Sequence, residues 1–126
     1  MVRLEVIKTE LLENRIEFTI EESNVHALTA GQRMLVDSDE LAFIYILESK
    51  DEYVYVSIRE AFWSQLKEAL EKDKQVFIKI NEKEEIEAVA FKAELEYLLS
   101  NIEDNSNYGE KMTSAVAAVF QKDKKV

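Results

Sequence analysis

The chain has 126 residues, 47% apolar and 33% charged, with a formal charge of −10, a composition that can pack a core without covalent staples and is too apolar to stay disordered. Lacking cysteine, it can form no disulfide, thiolate nucleophile or Cys-ligated zinc or iron–sulfur site. Its basic residues gather only in the terminal KDKKV, so the acidic balance argues against nucleic acid, whose phosphates demand clustered Lys and Arg.

The opening MVRLEVIKTE has no apolar signal core, and the longest apolar run, residues 41–47, is too short to cross a bilayer. The reading is therefore a cytoplasmic protein without a membrane partner. With no proline and two glycines, turns must come from Asn, Asp, Ser and Lys. Residues 2–12 and 15–22 form a hairpin around Glu13-Asn14. In its second arm Ile16, Phe18 and Ile20 alternate with Glu17, Thr19 and Glu21, the pattern of a strand with one wet face. Residues 23–33 look like loop, and 34–36 like a short strand.

Residues 41–48 and 53–58 make the clearest hairpin, turning through SKDE. Alternation groups Ala42, Ile44 and Ile46 with Val54, Val56 and Ile58, and Phe43, Tyr45 and Leu47 with Tyr53 and Tyr55. Neither arm has a polar face, which predicts central strands covered on both sides. Ser57-Ile58-Arg59-Glu60 has the form of a capping box for a helix over residues 59–72. That helix carries Phe62, Leu66 and Leu70 beside Trp63 and Ala69. Residues 75–80 form the next strand, and 85–90 either pair with it or begin a helix. Two helical stripes follow, Phe91/Leu95/Leu98/Leu99/Ile102 and, after DNSN, Met112/Ala115/Val116/Val119/Phe120. The expectation is an α+β fold: a mainly antiparallel sheet of six or seven strands, one inserted helix and two C-terminal helices. Residues 1–121 would form one domain and 122–126 a charged tail.

Chemistry is harder to place. DSDE brings together Asp37, Asp39 and Glu40, three carboxylates that a hard divalent cation could use. A calcium loop, however, needs spaced ligands and a glycine at its sharp bend, and these acids adjoin a strand, where Asp and Ser build local turns. Turn is the preferred reading. The single histidine, His26, has no nucleophile motif beside it, and an acid pair such as Asp39 with Glu48 is arbitrary among 26 acids. No phosphate loop, dinucleotide fingerprint, GxSxG or HExxH is present, so neither a cofactor nor catalytic residues are assigned. Phe43, Tyr45, Tyr53 and Tyr55 could form an aromatic face, covered by the Trp63 helix or open to a partner. Asn107-Tyr108-Gly109-Glu110 could cap the last helix, Asn107 serving as N-cap. Residues 81–104 hold eight acids and two bases, −6 of the total, a surface suited to a basic partner.

LVDSDELAFIYILE, YVYVSI and ELEYLLSNIEDNSNYGE together resemble the YjbL-like proteins, a small uncharacterised family of bacilli. The likeness runs from Leu28 to Phe120. It implies a cytoplasmic protein of a Gram-positive bacterium and no activity, and it makes both acidic turns candidates for partner contact.

The first reading is a non-enzymatic protein-interaction or regulatory module, with Asp37, Asp39, Glu40, Tyr45, Tyr53, Tyr55, Trp63, Asn107 and Tyr108 as candidate contact residues. The alternative is a small-molecule or divalent-ion binder, even an enzyme, built on Asp37, Asp39 and Glu40. An acidic mimic of nucleic acid is a third. A homodimer through the SAVAAVF stripe is a further expectation.

Overall fold

The computed structural model describes residues 2–25, 27–103 and 105–121, with the backbone only of Gln121. Strands β1 (Val2–Leu11), β2 (Arg15–Ile20), β3 (Thr29–Asp37), β4 (Ala42–Glu48) and β5 (Tyr53–Arg59) come first. Helix α1 (Trp63–Glu71), strands β6 (Gln75–Lys79) and β7 (Glu85–Glu87), and helices α2 (Phe91–Ile102) and α3 (Glu110–Val116) follow. The fold is α+β, as the patterning predicts. The seven strands lie in the order β3-β4-β5-β1-β2-β6-β7. Four of the six pairings are antiparallel, while β1–β5 and β2–β6 are parallel. The N-terminal hairpin thus fills the gap between β5 and β6, which α1 bridges.

One hydrophobic cluster lies between this sheet and the helices. It contains Trp63 and Leu66 from α1, Phe91, Leu95 and Ile102 from α2, and Met112 and Val116 from α3. Phe43 meets Trp63 at 4.8 Å between ring centroids and Phe120 at 6.0 Å. Tyr45 stacks on Phe91 at 5.6 Å, which also meets Phe18 at 6.3 Å. Such aromatic pairs add about 0.5–1.5 kcal/mol each beyond area burial. The SAVAAVF stripe is spent here: Ala115 and Val116 are buried, and Val119 and Phe120 pack against the same cluster.

Several local readings need correction. Phe43 lies opposite Ile58, Tyr45 opposite Val56 and Leu47 opposite Val54, so these six share the helix side. Ala42, Ile44 and Ile46 share the other side with Arg59, Ser57 and Tyr55. The expected face grouping is thus off by one residue. Residues 23–33 are not all loop, because β3 starts at Thr29 and carries an irregularity between Ala30 and Met34 that breaks the alternation. Gly31 is needed there: a Cβ would sit 2.6 Å from the Ile46 carbonyl oxygen. Of the two readings left open for residues 85–90, pairing with β6 is the one that holds, over Glu85–Glu87.

Neither capping box forms. Ser57 is buried within β5, and Arg59 precedes a 3₁₀ turn over Glu60–Phe62 without any side-chain cap. At the C-terminal end Asn105, not Asn107, is the cap, its side chain accepting from the Asn107 amide across the 3₁₀ turn Ser106–Tyr108. Helix α3 starts after Gly109, whose φ of 87° explains the glycine.

Candidate functional site

All four arginines of the chain, Arg3, Arg15, Arg33 and Arg59, stand on the sheet face that the helices leave open. Alternation puts them there. Arg3 precedes Leu4 of the core, Arg15 precedes Ile16, Arg33 precedes Met34 and Arg59 follows Ile58. Each meets carboxylates. Arg3 reaches Asp37 at 2.6 Å and Glu5 at 3.3 Å, and Arg59 reaches Glu5 and Glu40, both at 3.0 Å. Arg33 lies 3.8 Å from Glu48 and over the Tyr53 ring at 5.4 Å. Arg15 pairs with Glu17 and Glu85 and sits 3.6 Å over the Phe77 ring.

Under Arg3, Arg33 and Arg59 lies a small apolar floor. Ile44 and Ile46 belong to no helix-covered cluster yet are only 3% and 4% exposed. Arg3, Leu35, Asp37, Asp39, Ile44 and Tyr55 line a shallow open hollow of about 360 Å³. Leu35, opposite Ile44 in the ladder, is 41% exposed, and Tyr53 is 48% exposed. The face therefore presents arginine, tyrosine and aliphatic side chains together. Strands β3, β4 and β5 contain no lysine.

DSDE is a turn. One Asp37 carboxylate oxygen accepts from the Asp39 and Glu40 amides at 3.1 Å each, while the other takes the Arg3 guanidinium. The hydrogen bond from Arg3 is the main reason the Asp37 carboxyl titrates below its ordinary range. Glu40 is drawn to Arg59, and Asp39 faces solvent. The three carboxylates thus do not converge, and among the described residues no three His, Asp or Glu side chains group to hold a metal ion.

The other candidate contact residues divide by face. Tyr45 and Trp63 are fully buried and are withdrawn as surface contacts. The Tyr45 hydroxyl donates to the Val89 carbonyl at 2.6 Å, and burial pushes its phenol up to about 12. Trp63 donates its indole N–H to the Ile58 carbonyl at 3.0 Å. Tyr53 and the half-buried Tyr55 stand on the open face. Asn107 and Tyr108 form the distant 3₁₀ turn, Asn107 exposed and Tyr108 packed on the core. His26 lies outside the described residues, as do Asp104 and the 122–126 tail.

The sequence pattern gives no site role to Arg3, Glu5 or Arg33, and it places Ser57 and Arg59 in a helix cap. Ser57 accepts from Arg3 at 3.1 Å, which is what allows a hydroxyl to be buried there. A signal was available. Arg3-Leu4-Glu5 and Arg15-Ile16-Glu17 repeat one pattern on two strands, placing an arginine and a glutamate side by side on one face.

Comparison with known proteins bears on the whole chain. A family model described as UPF0738, a family of unknown function, matches residues 4–120. A UPF0738 protein of Bacillus cytotoxicus is 46% identical over 120 residues, covering 94% of this chain and 97% of the relative. Relatives from Bacillus mycoides and Bacillus cereus are 44% and 42% identical over the same coverage. No solved structure matches. These findings support the expectation of an uncharacterised family of bacilli, under the name UPF0738.

Proposed function

The chain belongs to this UPF0738 family, and from the geometry above we propose that it is a cytoplasmic, non-enzymatic interaction module that meets its protein partner through the open face of β3, β4 and β5. The observation that carries this reading is the company its arginines keep. Arg3, Arg33 and Arg59 stand with exposed Leu35 and Tyr53 on a face whose strands β3, β4 and β5 carry no lysine. Arginine and tyrosine are enriched where proteins bind one another, and lysine is depleted.

The ion pairs add a physical reason. Exposed pairs of this kind contribute about 0–1 kcal/mol each to stability. Their larger effect is to hold long side chains in place before contact, so that less rotamer freedom is lost on binding. No helix of the described residues is long and apolar enough to cross a membrane.

The test is capture of partners from bacillal cytosol with wild type, Tyr53→Lys and Leu35→Lys side by side. A protein recovered with wild type and lost with both variants, whose melting temperatures stay close to wild type, supports the reading. A partner retained by both variants overturns it.

A further inference from the structure

We propose that the partner enters as an extended segment that adds an antiparallel strand to the free edge of β3 at Leu35, Val36 and Asp37. Its side chains there read basic, apolar, apolar from the N-terminal side. The inference rests on the open-face reading and adds the shape and chemistry of what is bound. Its source is where the backbone groups of β3 point. β3 ends the sheet, with β4 as its one neighbour in the strand order. Along an antiparallel strand, successive residues turn their amide and carbonyl alternately toward one neighbour and toward the other. The Met34 amide donates to the Glu94 carboxylate of α2 at 3.3 Å, so it points away from β4. Val36, two residues on, turns its amide and carbonyl the same way, whereas Leu35 turns toward Ile44. Glu94 thus stands in for a neighbouring strand at Met34, and among the described residues no side chain does so at Val36.

An unpaired row of amides and carbonyls is a template for any strand, and folded proteins blunt it. The rest of this sheet follows that rule. β7, at the other edge, is three residues long and carries Glu85 and Glu87. The first half of β3 is broken by its irregularity, with Gln32 at a φ of 59°, and Glu94 closes it at Met34. None of these devices reaches Val36. Leu35, Val36 and Asp37 all line the shallow hollow of the open face.

Register then dictates what the added strand carries. One residue of an antiparallel strand lies opposite Val36 and takes both of its outward backbone bonds. Its side chain falls on the helix side beside Val36, which packs on the core, so it is apolar. The residue after it lies beside exposed Leu35 and is apolar as well. The residue before it lies beside Asp37 and the acidic turn. There Arg3 and Arg59 meet Glu5, Asp37 and Glu40, and Asp39 adds a carboxylate with no ion pair among the described residues. The surplus at the turn is negative, so this position takes a lysine or an arginine. In strand addition the main-chain bonds supply affinity and the alternate side chains specificity.

Nuclear magnetic resonance on the full chain tests this, with the capped pentapeptide Thr-Lys-Val-Leu-Thr as probe. In the free protein the Val36 amide should exchange with solvent faster than that of Leu35. Peptide at millimolar concentration should shift the resonances of Leu35, Val36 and Asp37 and slow exchange at Val36. N-methylation of the peptide valine removes its donor to the Val36 carbonyl and should abolish the shift. Glutamate in place of the peptide lysine should weaken binding. Val36→Pro removes the outward N–H, a change that edge strands tolerate, and should lose the response at an unchanged melting temperature. The N-methylated peptide makes the same test on unaltered protein. A Val36 amide as protected as that of Leu35 overturns the free edge. An absent shift, or one that the N-methylated peptide reproduces, overturns the added strand, and equal binding of the glutamate peptide overturns its basic position. Failure here beside a protein partner that Tyr53→Lys abolishes would reject this inference and uphold the open-face reading.

Discussion

The two faces of the one sheet are made by the same strands and stabilised by different physics. Toward the helices, Phe18, Phe43, Tyr45, Trp63 and Phe91 form a continuous aromatic layer from which water is excluded. Toward solvent, Arg3, Arg33 and Arg59 and their carboxylates cover a thin apolar floor, and Arg15 lies over the Phe77 ring. The dry face carries most of the folding free energy, because apolar burial returns about 25 cal/mol per Å² whereas an exposed ion pair returns little. A surface that contributes so little to stability is free to be shaped by recognition. Changes on the two faces should therefore separate into stability effects and binding effects.

The largest expected effect belongs to the dry face. Trp63→Ala removes a fully buried indole that touches Phe43 and Phe120. It should cost about 3–5 kcal/mol, read as a shifted midpoint in urea unfolding. Loss of well under 1 kcal/mol would mean the layer is not the core. Gly31→Val comes next. The added Cβ would meet the Ile46 carbonyl at 2.6 Å, and the resulting shift should cost about 1–3 kcal/mol by the same measurement. An unchanged midpoint would show that β3 does not approach β4 as described.

On the open face the effects should shrink. Asp37→Asn keeps an oxygen to accept the Asp39 and Glu40 amides but removes the charge that Arg3 holds. It should cost about 0–1 kcal/mol at neutral pH. Its signature is the pH dependence. The folded-state pKa of Asp37 lies below its ordinary value of 3.8, so its stabilisation is present above that value and lost as pH falls through the folded pKa. Wild type should lose that increment on the acid side, and the variant should lack this component. Identical acid limbs would contradict the Arg3–Asp37 pairing. Smallest of all, Tyr53→Lys should leave stability within about 0.5 kcal/mol, measured by thermal melting, while it removes partner binding.

What was legible in the sequence follows the same division. The helical stripes, the two hairpins and the α+β class could be read because one-sided burial writes itself as periodicity. Strands β4 and β5 defeated the face assignment for a physical reason: both are apolar on both sides, so alternation cannot say which residues lie opposite one another. Only the turn fixes that, and Glu48 opposite Tyr53 sets every later pair. The parallel pairings β1–β5 and β2–β6 set Val2 against Val54 and Arg15 against Gln75, separations of 52 and 60 residues, and leave no local mark. Ser57 showed a helix-cap pattern although its hydroxyl serves Arg3, a partner 54 positions away. The arginine cluster was lost in the same way. Arg3 and Asp37 become neighbours only once β1 lies beside β5.

Two exposed tyrosines offer the most direct measurement of the central claim, that the open face is the contact surface. Tyr53 stands on that face, 48% exposed, and Tyr97 stands on α2, 66% exposed. A photo-crosslinking amino acid placed at each position in turn, in a bacillal host, would read their surroundings. The expected result is a discrete protein adduct from position 53 and none of comparable yield from the more exposed position 97. An adduct confined to position 97, or equal diffuse labelling from both, would contradict the claim.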